Sequence, residues 1–288
     1  MQNFNFNFKG RVVLLIIGLI FFIGFFSPNP TIIQATSLTN NHEKENSTHS
    51  TNVDADSLTS TKTPFMIGMS YFSQGKYDEA IIEYEKSIEL DENHTESYYY
   101  LGQCYLQKGI IEYNNKNILA YISLFRKAYK ISDQAIPLYK KIIEDNPEDL
   151  DSYLKLGYIY EVRSIAPFIN EYDEALEYYL KALGILDLLE ESSSSASSSR
   201  NKGINIYINT RIGYIYFEKR KYSEAIEYLE RAETISPYNI EAAYYLGLSY
   251  DKIGEKENAL SYFEKVLELA PQSEFAQEAE KKLKKLNK

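Results

Sequence analysis

The sequence predicts an all-α fold, a solenoid of antiparallel helix pairs. Three observations carry this. A small kit of residues recurs in fixed order. Within each copy, two runs place apolar residues at three- and four-residue steps, the spacing of an amphipathic helix. No stretch shows the strict alternation of a strand. The stretch Ala242–Pro271 displays the kit most plainly: Leu246-Gly247, Tyr250, Gly254, Ala259, Phe263, Pro271. The anchoring glycines are Gly68, Gly102, Gly157, Gly213 and Gly247, and the matching alanines are Ala80, Ala135, Ala175, Ala225 and Ala259. Gly68 to Gly102 and Gly213 to Gly247 are steps of 34 residues, so the unit is 34 and the two longer steps carry insertions of 21 and 22.

The first segment, residues 1–36, is of another kind. Val12–Phe26 is fifteen apolar residues without a charge, preceded by Lys9 and Arg11 and followed by no Lys or Arg until Lys44. That asymmetry keeps the N-terminus in the cytoplasm and sends the remainder across the membrane. As a helix the run spans about 22 Å, short of the roughly 30 Å hydrocarbon core. Two readings fit: a signal peptide cut after Ala35, although Ile33 is large for that motif, or a short membrane anchor. Both place the folded part outside the cytoplasmic membrane. Residues 37–60 are Asn, Ser, Thr and His with scattered charges, a composition that fills no core and reads as a flexible spacer.

Helix pairs follow over about 61–94, 95–149, 150–190, 206–239 and 240–273. Small residues at the Gly and Ala positions let paired helices approach, and Tyr and Phe fill the space beside them. Gly75, Gly109 and Gly254 fall where a first helix must turn, and glycine accepts the positive φ required there. Pro147, Pro237 and Pro271 stop the second helices. The third copy lacks that Pro, and the fourth has Arg220 in place of Gly, which predicts a less sharp turn. Residues 110–131 keep helical periodicity, so the second copy has longer helices or an extra one. Residues 191–203 form a Ser-rich loop. Residues 274–288 read as a capping helix, with Phe275, Ala279, Leu283 and Leu286 covering the last pair.

This kit resembles the tetratricopeptide repeat family. Tyr98, Leu101-Gly102, Tyr105 and Gly109 match the family's first helix; Tyr222, Ala225, Leu229, Ala232 and Pro237 match its second. The resemblance covers about four fifths of the chain and implies a right-handed superhelix whose first helices line an inner groove. The family's inward positions fall on Phe65, Met69 and Phe72 in the first copy and on Tyr99 and Tyr100 in the second. They fall on Tyr158 in the third, on Tyr207, Arg211, Tyr214 and Phe217 in the fourth, and on Tyr244 and Tyr245 in the fifth. With the hairpin core already filled by the kit, these rings are expected to be surplus to packing and free to bind a protein or peptide. The carboxylate clamp of chaperone-binding members would need Lys, Asn and Arg where this chain has Phe65, Met69, Tyr100 and Asp151; only Lys155 is compatible.

Other functions find little support. The formal charge of −10 disfavours nucleic acid. Cys104 stands alone, and His42, His49 and His94 have no ligand spacing, so no metal or cofactor is expected. No phosphate loop or nucleophile elbow is present, and carboxylates such as Glu144, Asp145, Glu148 and Asp149 read as solvated helix ends. The expectation is therefore a non-enzymatic scaffold, anchored in the membrane through residues 12–26 or secreted, that captures a partner protein in a Tyr-rich groove. The alternatives are a self-associating structural component or an accessory subunit of a larger membrane or secretion complex. Asn46 and Asn93 match the glycosylation acceptor triplet, a weak signal.

Overall fold

The computed structural model describes residues 55–165, 169–192 and 198–287. The apolar run 12–26, the cut after Ala35, the acceptor Asn46 and most of the spacer lie outside them. The described residues form eleven helices and no strand. These are α1 (Ala55–Ser73), α2 (Tyr77–Leu90), α3 (Thr95–Asn114), α4 (Ile118–Asp145), α5 (Leu150–Arg163), α6 (Tyr172–Ser192), α7 (Ser198–Glu218), α8 (Tyr222–Ile235), α9 (Ile240–Ile253), α10 (Lys256–Leu269) and α11 (Glu274–Leu286). The chain divides into two compact units, residues up to Lys141 and residues from Ile142 on. In the first, α2 packs between α1 and α3; in the second, each helix from α5 to α11 packs on the next, and α7 also meets α9, as α9 meets α11.

The kit glycines explain how closely the paired helices approach. A methyl group added at Gly68 would stand 2.7 Å from the Tyr84 ring, at Gly157 2.8 Å from Tyr179, and at Gly247 2.8 Å from Phe263. At Gly213 it would stand 2.5 Å from Leu229. Tyr84, Tyr179, Leu229 and Phe263 are all fully buried. A large side chain of the second helix thus lies directly on bare backbone of the first. Gly102 differs: its nearest neighbour there is Ile131, 3.8 Å away. The expected result is that Gly157→Ala costs about 1–3 kcal/mol by overpacking while Gly102→Ala is neutral or stabilising. Urea denaturation of the two variants checks the contrast.

Four boundaries differ from expectation. α1 begins at Ala55, inside the stretch read as spacer, and α7 begins at Ser198, inside the stretch read as a Ser-rich loop. Gly109 does not turn the chain; it is a buried residue within α3, 3.6 Å from the Tyr121 ring by its would-be Cβ. The insertion lengthens both helices of its pair, to 20 and 28 residues, and the left-handed turn residue moves to Lys116, at φ 62°. Arg220 makes the same sharp turn as glycine elsewhere, at φ 60° beside 73° at Gly75 and 88° at Gly254. A side chain there costs strain of roughly 1–2 kcal/mol, too little to redirect a helix pair held by its core. At the C-terminus the Ser273 hydroxyl accepts the Ala276 N–H at 3.1 Å and caps α11, which buries Phe275, Ala276 and Ala279.

Candidate functional site

Nine of the twelve inward positions are buried: Met69, Phe72, Tyr99, Tyr100, Tyr158, Tyr207, Arg211, Tyr214 and Tyr245. Only Phe65, Phe217 and Tyr244 are half-buried. The expectation that these rings are surplus to packing is therefore corrected. Within each unit a ring or charge on one first helix is covered by residues of its neighbours: Tyr100 of α3 by Phe65 and Phe72 of α1, and Arg211 of α7 by Glu161 of α5 and Glu241 of α9.

In the first unit the rings form one cluster. Tyr100 of α3 stands 5.6 Å from Phe72 and 5.9 Å from Phe65, both on α1, and 5.9 Å from Tyr84 on α2, centroid to centroid. The Phe72 contact is edge-to-face, the Phe65 contact tilted and the Tyr84 contact stacked. The Tyr84 hydroxyl donates to the Met69 sulfur at 3.2 Å. Tyr99 meets Tyr139 of α4 at 6.3 Å. His94, the one histidine among the described residues, is structural: its Nδ1 accepts the Ser97 N–H at 3.3 Å at the start of α3, and its ring lies 4.9 Å from Phe65. Burial lowers its pKa, with Asp91 and Glu96 opposing.

The second unit buries charge. Arg211 of α7 reaches Glu161 of α5 on one side and Glu241 of α9 on the other. Its Nε donates to Glu161 Oε2 at 3.0 Å, a second nitrogen donates to Glu161 Oε1, and the third donates to Glu241 Oε1 at 2.6 Å. All three side chains are at most 6% exposed. The guanidinium also lies 4.9 Å from the centre of the Tyr214 ring. Tyr179 of α6 donates to Glu161 Oε2 at 3.0 Å and shares a 3.2 Å hydroxyl contact with Tyr207, while Tyr172 and Tyr214 share another at 3.2 Å.

The electrostatics follow from two carboxylates around one cation. Burial would lower the Arg211 pKa, but Glu161 and Glu241 outweigh it and hold it well above the usual value. Glu241 moves up from the usual carboxylate range: burial raises it, Arg211 opposes, and Glu161 adds repulsion. Burial, reinforced by Glu161, puts the Tyr179 hydroxyl far above its ordinary range. None of these groups faces water in a form suited to proton transfer, and together they tie three first helices in one arrangement. Glu241 and its pairing with Arg211 escaped the sequence reading; the signal was an acid at the first inward position of the unit following Arg211.

Above this floor lie the accessible edges. Phe217 packs on Tyr222 at 5.6 Å and Tyr245 at 5.3 Å; Tyr244 packs on Phe275 of α11 at 4.9 Å and Tyr245 at 5.5 Å. The carboxylates Glu144, Asp145 and Glu148 are exposed, and Asp149 caps α5 by accepting the Ser152 N–H at 3.1 Å. Cys104 is buried, and burial pushes its thiol pKa up. Among the described residues no group of His, Cys, Asp and Glu is placed to hold a metal ion, and no helix is long and apolar enough to cross a membrane.

Comparison with known proteins finds family models matching over three stretches. Residues 68–109 match a TPR repeat model and residues 132–191 a tetratricopeptide repeat model; residues 214–288 match the model of regulator of microtubule dynamics protein 1-3. The TPR repeat-containing protein MJ1428 of Methanocaldococcus jannaschii is 25% identical over 252 residues, which cover 76% of this chain and 44% of that protein. The BBSome complex member BBS4 of Bos taurus is 24% identical over 231 residues, covering 71% of this chain and 44% of that protein. The chain thus spans less than half the length of the curated relatives it matches. Among solved structures, a crystal structure of MamA protein is 22% identical with a TM-score of 0.47, covering 74% of this chain and 93% of that one.

Proposed function

Starting from a chain that carries tetratricopeptide repeats, we propose that it is a non-catalytic scaffold whose first helices hold a partner protein or peptide. The observation that carries the reading is the repeat itself: helix pairs locked at their glycines, with the first helices α7 and α9 in contact within the second unit. Within the second unit the Phe217 and Tyr244 edges stand on a rigid floor of buried rings and paired charges. Pre-organised aromatic edges of this kind bind with little loss of side-chain freedom. In the first unit Phe65 plays the same part. One relative is named as a member of a complex, which supports a role within an assembly. The segment 12–26 anchors the chain in the membrane or directs its export, with the repeats outside the cytoplasm.

The test is capture from native membranes with the full chain as bait, beside a bait carrying Phe217→Ala and Tyr244→Ala. These positions are half-buried, so the fold survives their loss; changing buried Tyr99, Tyr100 or Tyr214 would damage the fold itself. We expect a discrete partner on the first bait and at least a tenfold loss on the second, about 1.4 kcal/mol or more, with matching circular dichroism melts. Equal capture by both baits would move the binding site away from these helices.

A further inference from the structure

The end of the α3–α4 hairpin carries an apolar patch that neither the helix-pair core nor the inward face uses. Ile111 lies in the last turn of α3, and Ile118, Leu119 and Ile122 open α4. All four are exposed, Leu119 to 82%. Clusters of exposed aliphatic residues at one tip mark an interaction surface.

The charges around the patch say what kind. Arg126 and Lys130 follow Ile122 at four-residue steps and share its face of α4; Lys127 lies beside them, and Lys116 sits in the turn. All four are exposed. Lys127 also lies 5.2 Å from the Tyr105 ring centre. Between Ile111 and Ser132 the sole acidic residue is Glu112, whose Oε2 accepts from Asn117 Nδ2 at 2.7 Å. Over residues 111–132 four basic groups stand against one acid, in a chain whose formal charge is −10; from α2, Glu85 accepts the Tyr105 hydroxyl at 3.3 Å on the Lys127 side. A second copy is a poor occupant, because a two-fold contact would bring the same basic collar against itself.

We propose that this tip docks on an anionic lipid bilayer. Ile111, Ile118, Leu119 and Ile122 enter the boundary between headgroups and acyl chains, and Lys116, Arg126, Lys127 and Lys130 meet the headgroup phosphates. This site is separate from the segment 12–26. Docking of the tip fixes which side of the first unit faces the lipid.

The experiment uses the full chain with Asn115→Cys, an exposed turn position, labelled with an environment-sensitive dye. Cys104 is buried and stays unlabelled, which the unsubstituted chain verifies. The chain is reconstituted into phosphatidylcholine vesicles with and without phosphatidylglycerol. We expect a blue shift and protection from acrylamide only on the anionic vesicles. Lys116→Gln, Arg126→Gln and Lys127→Gln together should weaken docking about a hundredfold, and Leu119→Ser with Ile122→Ser should abolish the shift. Flotation of the whole chain on phosphatidylcholine vesicles, which the tip is not expected to engage, reports on residues 12–26 separately, so failure of the anchor and failure of the tip are told apart. A dye that stays in water on both vesicles overturns the proposal. So does an equal shift on neutral vesicles, or a shift that grows with protein concentration without lipid, which would identify a second copy.

Discussion

Replacing Arg211 by Met should destabilise the chain by about 3–5 kcal/mol, the cost of stranding buried charge. The substitution keeps an unbranched apolar stem and removes the one cation between Glu161 and Glu241, both of which are at most 6% exposed. Two carboxylates are then left facing each other without their donor. The companion changes make the cause visible. Glu241→Gln keeps an acceptor for Arg211 while removing the surplus negative charge, so it should cost little at pH 7. The sign agrees with the raised Glu241 pKa: its neutral form favours folding, and that contribution fades as pH climbs through the folded-state value. Combining Arg211→Met with Glu161→Gln and Glu241→Gln should recover most of the loss. Urea denaturation of the four proteins measures this; a loss under about 1 kcal/mol for Arg211→Met would mean that water reaches the carboxylates.

Phe263→Ala should cost a similar amount, about 3–5 kcal/mol, for a different reason. The ring is fully buried, lies against Gly247 and stands 6.2 Å from the Tyr244 ring. Its removal leaves a void against the bare backbone of Gly247. Phe263→Leu should cost far less, about 1–2 kcal/mol. The chain contains the control: at the corresponding place in the preceding pair, Leu229 covers Gly213. Thermal melts of the two variants, with unchanged far-ultraviolet dichroism below the transition, separate cavity formation from loss of the helices.

The helix pairs were legible because their rule is local. Gly, Ala and a large side chain at set distances encode contacts inside one hairpin, so spacing alone identifies them. Boundaries were less so. The periodicity of residues 110–131 allowed longer helices or an extra one; that α3 runs through Gly109 rather than turning there goes with Tyr121 and Leu124 of α4 packing against it. Arg220 was misjudged because the helix pair's packing outweighs the strain of one side chain at positive φ. The positions expected to be free surface are mostly buried. Tyr100 and Tyr214 are buried by residues on other helices, and burial of that kind is a property of neighbours. The Arg211 network spans separations of 50 and 30 residues, to Glu161 and Glu241. The 50-residue separation becomes a contact only after the 22-residue insertion between Gly157 and Gly213 is set aside; the 30-residue one falls within the regular 34-residue step.

That network has a further consequence, for cooperativity. In a repeat protein whose units touch only their neighbours, stability is a sum of local terms and the chain can fray one pair at a time. Arg211 links α5 and α9 through α7, so fraying α9 away exposes a guanidinium whose other partner is still folded. Losing α5 does the same from the opposite side. Neither end of this block can melt without leaving a buried charge in the middle short of one partner, so fraying from either side costs more than the apolar contacts alone.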